Sequence, residues 1–342
     1  MQPRRAGLTP RSSLATPAEF AHGDAPEIAT ENVDECPSCL GREHARFAAG
    51  FDYELRTCRN EWTFVKCAGC GLVRLHPRPA VAALPVIYPP SYYAYNYAQK
   101  VNPVARWAKA FLDRRKLRSI LRRCASPPAS FLDAGCGDGR YLRAMSRAGL
   151  AKQNIHGLEL DERVVKGLSE AGFQVSCERV ETCRRIPDGS IDLATMFHVI
   201  EHVADPAAVV RQLARWLSPG GLLALETPNL DSFDARKFRE SFWGGYHIPR
   251  HWTLFTPESL RRLMESAGLE VVATLFQTGH SFWMYSYHHR LRYGKRPRRW
   301  CARMFDPFGG SIVALAAFTA FDKLRAFLGG RTSAMLMLAR KK

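Results

Sequence analysis

The sequence predicts an α/β fold in which helices cover a mostly parallel sheet. From Ala129 onward, short apolar segments of strand length alternate with segments whose apolar residues recur at helical spacing. This alternation is typical of parallel sheets whose connections are helices. Two pairs of cysteines nearer the N-terminus indicate a second, smaller module. A chain of 342 residues is long enough to bury a full core and still carry such a module.

The chain divides into four parts by composition. We expect a disordered tail at 1–33, a cysteine module at 34–78, a linker with a basic helix at 79–128, and the α/β domain at 129–342. Within that domain the strands are expected at 130–134, 155–160, 173–176, 191–197, 222–226, 269–276 and 334–339, and the helices at 140–148, 161–171, 206–217 and 257–267. A further segment, 280–331, interrupts the last pair of strands.

The charge balance narrows the kinds of partner. Lys and Arg exceed Asp and Glu by 49 to 32, a net charge of +17. Such an excess favours nucleic acid, lipid headgroups or a phosphorylated substrate, or it forms a well-solvated basic surface. No apolar run approaches the roughly 20 residues that span a bilayer. The start also lacks the apolar core of a secretory signal, so we expect a cytoplasmic setting with reduced cysteines.

The loop after the first predicted strand has the residues of a nucleotide-binding site. Its residues include Asp133, Gly135, Cys136, Gly137 and Gly139. Glycines allow close approach of the backbone to a ligand, and the following helix offers unpaired N–H groups. At the end of the next strand lies Glu159, where a carboxylate can accept hydrogen bonds from ribose hydroxyls.

One position in this loop helps to decide which nucleotide-containing ligand it binds. An NAD fingerprint needs glycine where this chain has Arg140. The motifs DAGCGDG (133–139), GLELD (157–161), IDLATMFHVIEHVADP (191–206) and LSPGGLLALETPN (217–229) instead resemble those of the class I S-adenosylmethionine (SAM) methyltransferases. This resemblance implies a Rossmann-like, seven-stranded class I methyltransferase sheet whose last strand is antiparallel.

The resemblance also implies roles for individual residues. The implied cofactor-binding residues are Asp133, Gly135, Cys136, Gly137, Gly139, Glu159, Phe197 and His198. Gly135 and Gly137 would contact the methionine part of SAM, and Glu159 the ribose. Phe197 and His198 would line the site beside the sulfonium.

The cysteine pairs predict a structural zinc site. Cys36, Cys39, Cys67 and Cys70 form two C-x-x-C motifs, and four thiolates suit tetrahedral zinc. The alternative is a set of unliganded thiols. A CPxC…CxxCGLV ribbon, then a segment with Tyr88, Tyr92 and Tyr93, then the SAM domain is similar to the zinc-ribbon methyltransferases, which include sugar C-methyltransferases. The fold expected is therefore a methyltransferase sheet with a small N-terminal zinc-ribbon module.

Histidines near the predicted carboxyl edge are the candidate catalytic residues. We expect His251, His247 or His198 to remove the acceptor's proton, because imidazole titrates near neutral pH. His251 aligns with the base in the E-H-x-x-Y-F-S segment of the sugar C-methyltransferases, although Arg250 replaces the glutamate. The run HVIEH at 198–202 differs in order from the H-E-x-x-H metal motif, so we expect it to line the pocket.

The interruption at 280–331 allows two interpretations. Its stretch 312–328 is apolar on most faces and follows a basic run at 290–299. Such a helix packs on the catalytic domain or on a second subunit, or it lies on a membrane surface. The oligomeric state is left open.

Together these patterns predict SAM-dependent methyl transfer to a small-molecule, sugar or glycan acceptor that can be lipid-linked. One alternative is an RNA methyltransferase, supported by the +17 charge. Base-amino methyltransferases usually place Asn or Asp with Pro-Pro-aromatic after the fourth strand, where this chain has FHVIEH, so nucleic acid is disfavoured. Another alternative is a non-catalytic SAM-binding zinc scaffold.

Overall fold

The structure, a computed structural model, describes residues 17–21, 23–89, 103–307 and 309–342, with the backbone alone for Ala18 and 103–109. Residues 1–16 of the expected tail and the tyrosines Tyr92 and Tyr93 lie outside the described residues. The strands are β1 (Thr30–Glu31), β2 (His44–Gly50), β3 (Trp62–Cys67), β4 (Val73–Leu75), β5 (Arg78–Pro79), β6 (Phe131–Ala134), β7 (Ile155–Leu158), β8 (Gln174–Ser176), β9 (Ile191–Phe197), β10 (Leu217–Pro228), β11 (Thr253–Leu254), β12 (Leu269–Gln277) and β13 (Ala334–Lys341). The α-helices are α1 (Ala18–Ala21), α2 (Leu84–Ile87), α3 (Pro103–Leu121), α4 (Arg140–Arg147), α5 (Glu162–Glu170), α6 (Pro206–Trp216), α7 (Phe233–Lys237), α8 (Pro257–Ser266), α9 (His280–Tyr293), α10 (Arg299–Ala302) and α11 (Ile312–Phe327).

The main sheet has the predicted seven strands, in the order β12-β13-β10-β9-β6-β7-β8. The five strands from β10 to β8 pair in parallel. The last strand, β13, runs antiparallel to both of its neighbours. The α/β prediction and the antiparallel last strand are therefore confirmed.

Local sequence signals begin the helices where they were expected. The side chain of Asp161 accepts a hydrogen bond from the N–H of Arg163 at the start of α5, and Asp205 does the same for Ala208 in α6. Thr256 caps α8 in a capping box with Ser259. Such caps satisfy N–H groups that have no partner within the helix.

The largest difference between a predicted and an observed strand boundary is at the start of β10. Strand β10 begins at Leu217 rather than at residue 222, because Leu217 already pairs with Ile191. The register then shifts before Leu222 pairs with Leu193. The Pro-Gly-Gly run at 219–221 accommodates this irregularity, so it lies inside the strand rather than between a helix and a strand.

The cysteine module shares its sheet with the α/β domain. A second sheet has the order β11-β4-β3-β2, and its edge strand β11 comes from the segment that follows β10. Trp252 and Leu75 extend this pairing through a hydrogen bond of 2.9 Å from the N–H of Leu75. The two modules therefore form one structure here.

The expected tail is packed over its second half. Phe20 stacks on Phe51 at 4.8 Å and is 3% exposed. Strand β1 pairs with β5, and Ile28 is buried beside them. The prediction of disorder for 1–33 is thus wrong for residues 17–33 where they are described, because their few apolar side chains cover the ribbon hairpin.

A buried ion pair joins the cysteine module to the α/β domain. The guanidinium of Arg250 donates two hydrogen bonds of 3.0 Å to the carboxylate of Asp52, and both side chains are fully buried. Arg250 also donates to the carbonyl of Ile87 at 2.8 Å. Asp52 accepts further hydrogen bonds from the backbone and hydroxyl of Thr57. Each charge is therefore paired and its remaining hydrogen-bonding capacity is largely used.

In the described part of the chain between β12 and β13 there are three α-helices and a short 3₁₀ turn, Arg303–Phe305. Helix α11 packs on α9 through Asp322, which accepts hydrogen bonds from the indole of Trp283 and the N–H of Gly279. Phe318 stacks on Trp283 at 5.4 Å. Among the residues that the structure describes, no helix combines the length and the hydropathy needed to cross a bilayer.

Replacing Arg250 tests how much the buried pair with Asp52 contributes to the stability of the fold. In Arg250→Met the Asp52 carboxylate stays buried without its cation, so the free energy of unfolding should fall by about 3–5 kcal/mol. Urea unfolding measures this. The matched control, Arg262→Ala, breaks an exposed pair with Glu258 and should cost less than about 1 kcal/mol. Equal losses in the two variants would contradict the account.

Candidate functional site

The glycine loop between β6 and α4 has the backbone shape of a ligand cradle. Gly135, Gly137 and Gly139 all have positive φ, at 79°, 50° and 72°. A Cβ atom on Gly135 would overlap Val199, and one on Gly139 would overlap Leu168, so packing requires glycine at both. A Cβ on Gly137 would meet nothing within 4 Å. Gly137 is therefore the position where the backbone faces open space.

Glu159 connects the loop to the end of β7. One carboxylate oxygen accepts a 2.8 Å hydrogen bond from the N–H of Gly137, and the other accepts from the N–H of Leu160 at 2.7 Å. The carboxylate thus lies beside the loop at the carboxyl edge of the sheet. This is where a ribose hydroxyl would be accepted.

The other predicted loop residues, Asp133 and Cys136, have side chains that are buried in the core next to the glycine loop. Asp133 is 2% exposed and accepts a 2.7 Å hydrogen bond from Thr195. Burial raises the pKa of Asp133 to about 7, which the hydrogen bond from Thr195 offsets only in part. The Cys136 side chain is buried in the core, so this residue offers a ligand its backbone alone.

Helix α3 places side chains next to Phe197, which was predicted to bind the cofactor. The sequence did not assign this helix to the site. Lys116 of α3 forms an ion pair with Glu226 near the end of β10, and its ammonium lies 4.9 Å from the centre of the Phe197 ring. Tyr141 packs edge-on against Phe197 and donates to Asp113. Burial raises the pKa of Glu226, but Lys116 and His198 outweigh it and lower the pKa well below its usual range.

His198 stands at the boundary between the loop and a second cluster. Its backbone is left-handed, with φ of 55°, an unusual conformation for a residue other than glycine. This turn directs the ring between two carboxylates, 3.3 Å from Glu201 and 3.3 Å from Glu226. Burial lowers the pKa of His198, but the two carboxylates outweigh it and raise the pKa to about 9. We therefore expect an imidazolium at neutral pH.

The second cluster, which we call the Glu201 cluster, consists of Glu201, His202 and His251. Glu201 is fully buried and accepts a 3.0 Å hydrogen bond from the Thr227 hydroxyl. His251 lies with its Nε2 atom 4.0 Å from the Glu201 carboxylate. One ligand atom from each of the three side chains lies within 4.8 Å of the others. The sequence placed only His251 among the catalytic candidates, since the order HVIEH gave no metal signature.

Backbone carbonyls orient both histidines of this cluster. The Nδ1 atom of His251 is 2.8 Å from the carbonyl of Gly245, and that of His202 is 3.0 Å from the carbonyl of Arg250. Each Nδ1 therefore carries the proton, and each Nε2 is left with its lone pair. Burial lowers the pKa of His202 to about 4 and the pKa of His251 well below its usual value.

The third candidate, His247, points toward the ribbon. Its Nδ1 atom lies 2.5 Å from Glu54, and both side chains are buried. Its ring is 5.0 Å from the ring of His251. His247 thus borders the Glu201 cluster and links it to the cysteine module.

Comparison with known proteins identifies the family. Residues 106–274 match the family model described as "Methyltransferase domain". The ubiquinone biosynthesis O-methyltransferase of Thiobacillus denitrificans is 31% identical over 169 residues, which cover 45% of this chain and 70% of that protein. Its counterpart from Neisseria meningitidis is 30% identical, over 44% of this chain and 67% of that protein. A SAM-dependent methyltransferase from Archaeoglobus fulgidus aligns with 68% of this chain and 94% of its own at 19% identity and a TM-score of 0.45.

This chain belongs to the SAM-dependent methyltransferases. The glycine loop and Glu159 are where the sequence predicted the methyl donor, and the structure brings them to one edge of the sheet with Phe197 and His198.

The cysteine pairs of this methyltransferase come together as predicted. The Sγ atoms of Cys36 and Cys70 are 3.5 Å apart, as are those of Cys39 and Cys67, and the four lie within 4.8 Å of one another. Bonds of about 2.3 Å to tetrahedral zinc separate sulfurs by roughly 3.8 Å. The four thiols therefore fit a zinc ion.

The pKa of Asp133 gives the methyltransferase a pH-dependent stability. Because its pKa is raised, the folded state holds a proton that the unfolded state has lost between about pH 4 and pH 7. The free energy of unfolding should fall as pH rises through this window, by at most about 4 kcal/mol. Asp133→Asn cannot titrate and should remove that part of the pH dependence. Urea unfolding across the window, without SAM, measures it.

The control is Asp188→Asn, whose carboxylate lies in an exposed pair with Arg215. This variant should keep the wild-type pH dependence. An Asp133→Asn protein that lost stability as steeply as the wild type would show that Asp133 is not the group responsible.

Proposed function

We propose that this methyltransferase transfers the SAM methyl group to a hydroxyl oxygen of a small-molecule acceptor, a class that includes sugar hydroxyls. The observation that carries the proposal is the adjacency of two sites. His198 lies between the glycine loop, where SAM is expected, and the buried Glu201 cluster. The names of the relatives, O-methyltransferases at about 30% identity, support oxygen as the methylated atom.

On the side of the site where SAM is expected, the loop backbone and several side chains have separate roles. Gly135, Gly137 and Gly139 hold the methionine part of SAM along the loop, above the buried Asp133 and Cys136. Glu159 accepts from the ribose hydroxyls, and its present hydrogen bond to Gly137 keeps it beside the loop. Phe197 and His198 line the approach to the sulfonium. An imidazolium at His198 does not accept a proton, so its task is to orient the acceptor.

The transfer itself needs one proton to leave and one methyl group to move. The acceptor O–H gives its proton to the Nε2 lone pair of His251, and an electron pair of that oxygen forms the new O–CH₃ bond. The C–S bond of the sulfonium breaks, and its electrons remain on sulfur as a neutral thioether. Burial lowers the pKa of His251, so the ring is neutral at neutral pH but is a weak base. It takes the proton only as the forming O–CH₃ bond makes the hydroxyl strongly acidic. His247 supports the ring from the ribbon side.

The cysteine module positions the acceptor side. We propose that Cys36, Cys39, Cys67 and Cys70 hold a structural zinc ion, which stabilises the turns that begin and end the hairpin of β2 and β3. That hairpin carries Asp52 and Glu54, whose partners Arg250 and His247 flank the His251 segment. Zinc would therefore have a structural role and would not contact the acceptor or the methyl group.

Helix α11 supports a location at a membrane surface. Its outer side exposes Ile312, Val313, Leu324 and Phe327, and the exposed Leu328 follows the helix; all but Leu324 are more than 70% exposed. The basic run at 290–299 precedes it in the chain. An exposed apolar helix face in a segment that also carries a basic run favours anionic lipid headgroups. We propose peripheral attachment there, which would give access to a lipid-linked acceptor.

Methyl transfer tests the role of His251. Radiolabelled SAM is incubated with fractionated extracts of the source organism and either wild type or His251→Ala. We expect label in small-molecule fractions from the wild type and a loss of about 100-fold or more in the variant, with SAM affinity unchanged. The control His288→Ala removes a histidine outside the cluster and should transfer normally. Label in RNA would replace the proposal with nucleic-acid methylation, and undiminished transfer by His251→Ala would exclude its role.

Vesicle sedimentation tests the membrane contact. The wild type should pellet with phosphatidylserine vesicles at low salt and less so at high salt, because salt screens the basic residues. Phe327→Ser with Leu328→Ser should reduce pelleting about tenfold or more, since two exposed apolar side chains that would enter the lipid are lost. The control Val81→Ser changes an exposed apolar residue elsewhere. Wild-type protein that stays in the supernatant at low salt would end this proposal.

A further inference from the structure

The Glu201 cluster has the composition and the orientation of a metal site. Glu201 and His202 lie in a short 3₁₀ turn after β9, and His251 comes from the segment before β11. The rings of His202 and His251 are 4.6 Å apart. Side chains from two distant parts of the chain thus converge on one small volume beside the expected methyl donor.

The hydrogen bonds of the two histidines leave the atoms that a metal would need. Histidines that bind metals typically donate the other ring N–H to a backbone carbonyl or a carboxylate. Here Nδ1 of His251 donates to Gly245, and Nδ1 of His202 donates to Arg250. The same Nδ1 of His202 also lies 3.0 Å from the Tyr88 hydroxyl. Both Nε2 lone pairs therefore remain for a ligand bond.

The gap between His251 and Glu201 points to a cation. An Nε2 lone pair and a carboxylate oxygen both accept hydrogen bonds, so they do not attract each other directly. They lie 4.0 Å apart, beyond hydrogen-bond distance. The imidazolium of His198 already pairs with this carboxylate from one side, at 3.3 Å. A metal cation between Glu201 and His251 would stabilise the carboxylate from the other side and would give the His251 lone pair a partner.

We propose that Glu201, His202 and His251 bind one divalent transition-metal ion, such as Mn²⁺ or Zn²⁺. Two imidazole nitrogens and one carboxylate oxygen suit this class of ion rather than Mg²⁺ or Ca²⁺, which prefer oxygen ligands alone. Metal–ligand bonds of about 2.1 Å place neighbouring ligand atoms roughly 3 to 3.5 Å apart, so binding draws the side chains together by about 1 Å.

The chemical role of this ion rests on the proposed function. Three protein ligands leave coordination positions for an oxygen of the acceptor. An ion that binds a hydroxyl favours loss of its proton, so it would take over the activation assigned above to the His251 lone pair. The proton would then pass to solvent, and the methyl transfer would otherwise balance as before. His198 would orient the acceptor between this ion and the sulfonium.

The test measures metal binding without any acceptor. Full-length chain without a histidine tag, with zinc retained on its cysteines, is titrated with Mn²⁺, and free Mn²⁺ is followed by electron paramagnetic resonance. Mn²⁺ prefers nitrogen and oxygen ligands over thiolates, so the cysteine cluster does not compete. We expect one Mn²⁺ per chain, with affinity reduced about tenfold or more in His202→Ala and in His251→Ala. The control His76→Gln changes a ribbon histidine and should bind as the wild type does.

Several outcomes separate this proposal from simpler explanations. A wild-type chain that holds zinc on its cysteines but binds neither Mn²⁺ nor a second Zn²⁺ overturns it, as does unchanged affinity in both alanine variants. Thermal melting and SAM binding of each variant show whether it is folded. A variant that fails to fold is replaced by Glu201→Gln, which keeps the shape of the side chain but should also weaken Mn²⁺ binding. Methyl transfer with no Mn²⁺ binding would retain the proposed function and reject the metal site alone.

Discussion

The buried pair of Asp52 and Arg250 is the interaction on which the acceptor side of this methyltransferase depends. Two charges removed from water are stable only when they meet each other with complete hydrogen bonding, and this pair does so through two parallel bonds of 3.0 Å. Asp52 belongs to the ribbon hairpin and Arg250 to the segment before β11. The pair therefore fixes the position of Arg250, whose carbonyl accepts the Nδ1 proton of His202. The next residue in the chain is His251.

The donor and acceptor halves of the site are built in different ways. The donor half consists of one loop and the ends of adjacent strands, β6, β7 and β9, so nearby residues determine it. The acceptor half needs the ribbon, the 3₁₀ turn after β9 and the segment before β11 to come together. The N–H of Trp252 donates to the carbonyl of Glu201 at 2.7 Å, and the N–H of Leu75 donates to Trp252. The ribbon is thus connected to Glu201 through a short chain of backbone hydrogen bonds.

Sequence reasoning predicted what depends on local pattern. The seven strands, the capped helices, the glycine loop and Glu159 all follow from periodicity or short motifs, and the cysteines meet because C-x-x-C turns bring their thiols together. The pairs Asp52–Arg250 and Lys116–Glu226 could not be found in this way, because their members are 198 and 110 residues apart and carry no motif. Arg250 departs from the glutamate expected in the E-H-x-x-Y-F-S pattern, and in the structure it pairs with the ribbon residue Asp52. For Glu226, an acidic residue ending an apolar strand was a signal that could have been used.

A crystal structure with S-adenosylhomocysteine tests most directly the claim that the two halves form one methyl-transfer site. The ribose hydroxyls should bind Glu159, the amino-acid part should follow Gly135 and Gly137, and the thioether sulfur should point toward His198 and the Glu201 cluster. A ligand bound elsewhere, or one whose sulfur points away from Glu201 and His251, would contradict it.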